Sequence, residues 1–136
     1  MLHGGETWAP KVEDLQRLRR NDRAMIRMMC RVRLGDEIRS NALLARLGLE
    51  DISSSLGTRR LRWYGHVSRS DPESGIQVTF NFKPAGSRSV GRPRTAWNDC
   101  VKKDICKRGL SDTDPNDRAA WRCGVYGRLL SSPVSG

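Results

Sequence analysis

Three short segments of this chain place a tryptophan among arginines, which suits the binding of a polyanion that carries flat bases. An arginine guanidinium can hold a phosphate through two parallel hydrogen bonds, and an indole face can stack on a base. We call these the first, second and third Arg–Trp segments. They cover residues 60–67, 91–97 and 117–122. Their residue types indicate nucleic acid as the ligand class.

The spacing of apolar residues separates the expected roles of the tryptophans and the arginines. Trp63 falls in helical register with Leu56 and Val67, and Trp97 and Trp121 each have a valine four residues later. Such spacing marks one buried stripe of a helix. We therefore interpret the tryptophans mainly as core residues and the arginines of the first two segments as exposed, phosphate-binding residues. The third segment falls in a helix that is nearly balanced in charge, and we interpret it as structural.

The charge balance supports a polyanionic partner. The chain of 136 residues contains 25 Lys+Arg against 15 Asp+Glu, for a formal net charge of +10. The stretch 59–94 alone contributes +6. A strongly basic chain favours nucleic acid first and an anionic membrane surface second. The predicted nucleic-acid contacts are Arg59, Arg60, Arg62, Arg69, Arg88, Arg92 and Arg94, with Tyr64 and His66 as lesser candidates.

Catalytic and metal chemistry find little support in the residue types. Of the two histidines, His3 and His66, neither has a nucleophile beside it. No two of the four cysteines have the two-to-four-residue spacing of a structural zinc site, so we predict reduced, buried thiols and no metal or cofactor. The acidic residues near the C-terminus are expected to cap helices and pair with nearby basic residues. They are Asp99, Asp104, Asp112, Asp114 and Asp117.

Helical periodicity recurs along most of the chain. It predicts a first helix over about 11–33, with arginines along its other face, and a second over 41–47 capped by Ser40 or Asn41. A third is expected from Asp51 past Val67, weakened by two glycines. A fourth begins at Thr95 or Asn98, and Asp114–Pro115 opens the last. Residues 76–82 alternate apolar and polar side chains, which predicts one short strand that needs a partner.

These elements predict a mainly α fold. We expect a small helical domain of four to five helices over residues 1–130, with one short β-strand or hairpin and a basic loop at 83–94. Residues 131–136 are expected to form a disordered tail. No leader peptide or apolar run of membrane-spanning length is present, so the sequence predicts an intracellular protein without a membrane partner. It predicts no oligomeric state.

In this order and spacing, the segments resemble the C-terminal region of non-LTR (LINE-type) retrotransposon endonuclease–reverse transcriptases. That family shows an ETW block, then RLRWLGHVLRMD, GRPRTRW and DRAAWR. Here the counterparts are residues 6–8, 60–71, 91–97 and 117–122, and residues 101–105 and 108–110 also match. The resemblance covers nearly the whole chain. Ser68 and Ser70 depart from it, since the family has an apolar residue and often a methionine at those positions.

The resemblance implies the thumb and post-thumb region that follows a polymerase palm. The family's YADD or FADD aspartate pair is missing, as is an endonuclease domain, so we expect no enzymatic activity from this chain alone. The implied partners are RNA or an RNA–DNA hybrid and the remainder of a reverse transcriptase, in a nuclear or cytoplasmic ribonucleoprotein. Met1 is then open to being an internal methionine of a longer element. The alternative is a relic or adapted protein-interaction domain whose strand pairs with a partner.

Overall fold

The computed structural model describes residues 3–83, 85–86, 91 and 96–127. Within these ranges the chain forms six α-helices and no β-strand, so the predicted mainly α class is confirmed. Short 3-10 turns cover Gly5–Thr7 and Leu34–Asp36. The helices are α1 (Val12–Cys30), α2 (Ser40–Leu47), α3 (Ile52–Ser68), α4 (Gly75–Asn81), α5 (Trp97–Arg108) and α6 (Arg118–Tyr126).

The chain divides into two compact units where the sequence predicts one domain over 1–130. The first unit is Pro10–Gly57, and the second comprises Met1–Ala9 and Thr58–Gly136. The boundary falls inside α3, so the first turns of that helix belong to one unit and the rest to the other. Most of the predicted basic loop 83–94 and all of the predicted tail 131–136 lie outside the described residues.

The first unit is built on α1 and α2, with Ile26 and Leu43 buried. The carboxylate of Asp14 accepts the backbone N–H of Lys11 at 3.3 Å at the start of α1, which satisfies a donor that the helix itself cannot. Gly48 ends α2 at φ 63°, as the sequence predicts. The predicted cap at Ser40 or Asn41 is wrong, because Arg39 occupies that position and no side chain caps the helix.

The core of the second unit gathers around Trp121. Its indole is 2% exposed and its Nε1–H donates to the carbonyl of Leu61 at 3.0 Å. Gly65 makes this approach possible, since a Cβ there would lie 2.5 Å from that nitrogen. The glycine that weakens α3 by propensity is therefore a packing requirement. The remaining buried members are Leu61, Val101, Leu110 and Val125, with Tyr64, Trp97 and Ile105 packed against them.

Aspartate side chains start both C-terminal helices. Asp99 accepts the N–H of Ala96 at 3.0 Å before α5, and Gly109 ends that helix at φ 66°. Asp117 accepts from Ala119 and Ala120 at 3.0 and 3.1 Å, so α6 begins after Asp117. The start predicted at Asp114–Pro115 is wrong, because that segment forms a turn in which Asp114 accepts the N–H of Asn116 at 2.8 Å.

The predicted strand at 76–82 is wrong, because Gly75–Asn81 forms α4. Ser74 caps it by accepting the N–H of Gln77 at 3.3 Å. A strand without a partner leaves its backbone groups unpaired, whereas a helix pairs them within the segment. Phe80 then packs edge-to-face on Trp97, with ring centroids 5.8 Å apart. The alternation of apolar residues also fits one helical side here, because Ile76 and Phe80 are four residues apart.

Candidate nucleic-acid interface

A groove of about 460 Å³ in the second unit joins α3 to α6, and we call it the arginine groove. From α3 and the residue after it come Arg62, His66 and Arg69, at spacings of four and three. From α6 come Arg118 and Arg122, one turn apart. Such spacings place side chains on one side of a helix. The lining is completed by Trp121, Val125 and Tyr126.

Core packing brings the two basic helix faces together. Trp121 lies between Arg118 and Arg122 along α6, and its hydrogen bond to Leu61 fixes α6 against α3. Arg108 adds a second tie, because it donates to the carbonyl of Val125 and to Thr58 Oγ1, the latter at 2.6 Å. The exposed arginines that flank Trp121 are therefore held opposite those of α3 by buried contacts.

The electrostatics of the arginine groove are one-sided. Four arginines line it and none of its lining residues is acidic. Within the described ranges, Arg62, Arg118 and Arg122 enter no ion pair. The guanidinium of Arg62 lies 5.9 Å from the ring centroid of Tyr126, and Arg69 Nη1 donates to the Pro115 carbonyl at 2.6 Å. These contacts orient two of the cations and leave further N–H donors of each for an anion.

A second groove, of about 520 Å³, continues the basic surface along α3. It is lined by Arg59, Arg62, Trp63 and His66, together with Glu6 from the N-terminal segment. Arg62 and His66 line both grooves, so the two form one extended surface. The imidazole of His66 lies against Trp63, with ring centroids 5.3 Å apart. Of the predicted contacts, Arg59, Arg62, His66 and Arg69 therefore lie along this one surface.

Arg60 takes a different role from the one predicted. It is 5% exposed, and its Nη1 contacts Asp104 Oδ2 at 2.6 Å in a partly buried ion pair. Its Nε is buried with no hydrogen-bond partner among the described residues. A phosphate on the surface cannot reach this guanidinium. We therefore remove Arg60 from the set of contacts and assign it to the interior of the second unit.

Tyr64 also belongs to the packed interior. Its ring centroid lies 5.8 Å from that of Trp121 and 6.4 Å from that of Trp97, and the residue is partly buried. Neither groove is lined by it. The three remaining predicted contacts, Arg88, Arg92 and Arg94, lie outside the described residues.

Sequence reasoning missed Arg118, Arg122 and Tyr126. The third Arg–Trp segment reads as nearly balanced in charge, which suggests a structural helix. The structure shows why the balance misleads, since the carboxylate of Asp117 is turned to the backbone N–H groups of Ala119 and Ala120. The signal that could have found these residues is their spacing, with Arg118, Arg122 and Tyr126 at successive intervals of four around a buried tryptophan.

Aromatic residues form a separate apolar cavity of about 360 Å³ in the second unit. Trp63 lines both this cavity and the groove described with Glu6. Trp97 is held by a hydrogen bond from its Nε1 to the carbonyl of Glu6 at 2.7 Å. The tryptophans of the first and second segments are thus half-buried, whereas Trp121 is a true core residue. The other lining residues are Thr7, Val67, Gly75, Ile76, Thr79 and Phe80.

Other chemistry finds no assembled group in the described part of the chain. No cluster of three metal-ligating side chains occurs there. The prediction of buried thiols holds for Cys100, while Cys106 and Cys123 are exposed. Among the described helices, none combines the length and apolar character needed to cross a membrane.

Comparisons with protein-family models, with curated proteins and with solved structures find no match for this chain.

Proposed function

We propose that this chain binds RNA, or an RNA–DNA hybrid, through the arginine groove and the basic surface that continues it along α3. One observation carries the proposal: four arginines converge on one groove whose lining includes no acidic side chain. Like charges held together by core packing repel one another, and a bound polyanion relieves that repulsion. Guanidinium groups match phosphate in shape as well as in charge.

The grooves also offer flat surfaces for bases. The Tyr126 ring sits beside Arg62, and Trp63 and His66 pack together on the adjoining surface. Aromatic side chains bordered by arginine are typical of proteins that bind single-stranded nucleic acid, where stacking contributes about 1–3 kcal/mol per base. Of the two proposed ligands, this favours single-stranded RNA over the fully paired RNA–DNA hybrid.

We propose further that the chain is a non-catalytic C-terminal piece of a non-LTR reverse transcriptase. The order of the ETW, first, second and third Arg–Trp segments supports this attribution. These segments also lie close together in the fold. The Glu6 carbonyl accepts a hydrogen bond from Trp97 Nε1, and the third segment faces the first across the arginine groove. In this proposal the partners are template RNA and the polymerase remainder, in an intracellular ribonucleoprotein.

A protein-interaction function is the second candidate, and exposed apolar residues in the first unit favour it. Met28 is 78% exposed on α1, and Met25 and Met29 are exposed beside it. Methionine side chains adapt to varied apolar partners. This interaction cannot use a strand at residues 76–82, as the sequence predicted, because Gly75–Asn81 forms a helix.

Neutralising the arginine groove tests the RNA-binding proposal. For single-strand binding, each lost phosphate contact makes the negative slope of log K against log salt shallower by about 0.7. The triple substitution Arg62→Gln, Arg118→Gln and Arg122→Gln should therefore weaken binding by about 100-fold near 0.1 M salt. The measurement is fluorescence anisotropy of a labelled single-stranded RNA, with far-UV circular dichroism to confirm that the helices remain.

The matched control removes the same charge elsewhere. Lys11, Arg33 and Arg46 are exposed and line none of the cavities described above. Their combined change to glutamine should leave the affinity within about threefold of the wild type, because it removes no phosphate contact. Equal binding by the two triple variants would contradict the proposal.

A further inference from the structure

The first unit carries its own arginine-lined groove, of about 410 Å³, which we call the α1 groove. It is independent of the surface on which the proposed function rests, since none of its residues belongs to the second unit. The lining residues are Gln16, Arg19, Arg20, Arg23, Arg27 and Ser40.

The helical register of α1 makes this groove a row of cations. Residues 16, 19, 20, 23 and 27 follow the three-and-four spacing that keeps side chains on one side of a helix. From Arg19 to Arg27 the row extends about 12 Å along the axis. That length accommodates several consecutive phosphates of a nucleic-acid strand rather than a single small anion.

Three of the four arginine charges in the α1 groove have no ion-pair partner among the described residues. No lining residue is acidic. Arg19 is already engaged, since its Nη2 pairs with Asp51 at 3.3 Å and its Nε donates to Ser53 Oγ at 2.9 Å. Across the described ranges, Arg20, Arg23 and Arg27 have no ion pair. Three like charges within about two turns of helix repel one another. An anion bound along the row would offset that repulsion.

We propose that the α1 groove is a second binding site for the phosphate backbone of RNA. Phosphodiesters suit it because the lining offers a regular row of forked donors and no apolar or aromatic side chain for a protein partner. A continuous polyanion engages such a row along its length, and each neutralised phosphate releases counterions. The inference rests on the proposed function in taking RNA as the polyanion.

The test neutralises this row alone. Arg20→Gln, Arg23→Gln and Arg27→Gln together should make the negative slope of log K against log salt shallower by about 2 for single-stranded RNA. The triple variant of Lys11, Arg33 and Arg46 is the control and should keep the wild-type slope. If the two triple variants share one slope, the α1 groove makes no phosphate contact. The proposed function fails separately, through the Arg62, Arg118 and Arg122 variant.

Protection of the unaltered protein gives a readout that does not depend on variant folding. Phenylglyoxal modifies exposed arginines, so bound RNA should slow its reaction at Arg20, Arg23 and Arg27. Unchanged reaction there, with Arg118 and Arg122 protected, would refute the second site and leave the first standing. Polyglutamate of equal charge should give weaker protection than RNA, and equal protection by both would overturn the assignment to phosphodiesters.

Discussion

Replacing Trp121 with alanine should remove about 3–5 kcal/mol from the free energy of unfolding of the second unit. The indole is the largest member of that unit's buried cluster, at 2% exposure. Its loss leaves a cavity against Leu61 and Val125, and it also leaves the Leu61 carbonyl without the indole donor. The loss is comparable to the whole stability of a small domain.

Urea unfolding followed by far-UV circular dichroism measures this effect. Trp8→Ala is the matched control. It removes the same residue type from a position that is 42% exposed, where little buried apolar area is lost. We expect that control to change stability by less than about 1 kcal/mol. A Trp121→Ala protein as stable as the Trp8→Ala protein would contradict the assignment of Trp121 to the core.

The second large effect is expected at the buried pair of Arg60 and Asp104. Asp104→Ala leaves the guanidinium inside the second unit without its carboxylate, since the Arg60 side chain is only 7% exposed. Breaking one partner of a buried pair costs about 3–5 kcal/mol. The Arg60 Nε already lacks a hydrogen-bond partner within the described residues, so the position has no reserve of compensating contacts.

A double variant distinguishes the free-energy cost of an unpaired buried charge from the cost of losing side-chain volume. Arg60→Met combined with Asp104→Leu replaces both charges with apolar side chains, which is often neutral or stabilising. We expect this protein to recover most of the stability that Asp104→Ala loses, in the same urea measurement. If the double variant is as unstable as Asp104→Ala, the loss does not come from an unpaired buried charge. An Asp104→Ala protein as stable as the wild type would contradict the burial of Arg60 against Asp104.

Much of the fold could be predicted because its signals are local. The apolar spacing over 11–33 and the glycines at 48 and 109 gave α1 and the ends of α2 and α5. The segment 76–82 was mistaken for a strand because seven residues with alternating apolar side chains fit both periods. The capping hydroxyl of Ser74, which settles it, lies just outside that run.

The site was predicted only on its α3 side. Arg62, His66 and Arg69 stood out through charge and register within one segment. Arg118 and Arg122 did not, because their placement opposite α3 depends on a hydrogen bond between residues 60 positions apart. The burial of Arg60 likewise depends on Asp104, 44 positions away. Contacts at such separation leave no periodic trace in one sequence.

Much of the basic charge behind the net +10 lies in two grooves, one in each unit, which are lined by four arginines each. In both, core or helix geometry holds arginines together, no lining residue is acidic, and a nearby aspartate has a defined partner. Asp117 caps α6, and Asp51 pairs with Arg19. This distribution supports the proposal that the chain binds a polyanion, and such binding should weaken as salt rises.

Salt titration of the full chain against labelled single-stranded RNA tests the central claim most directly. If the arginine groove and its continuation along α3 neutralise about five phosphates, log K should fall linearly with log salt at a slope of about −3.5, and contacts in the α1 groove should steepen it. Measurable binding at low salt that weakens along this line is the predicted result. An absence of binding at low salt, or a slope near zero, would contradict the proposal.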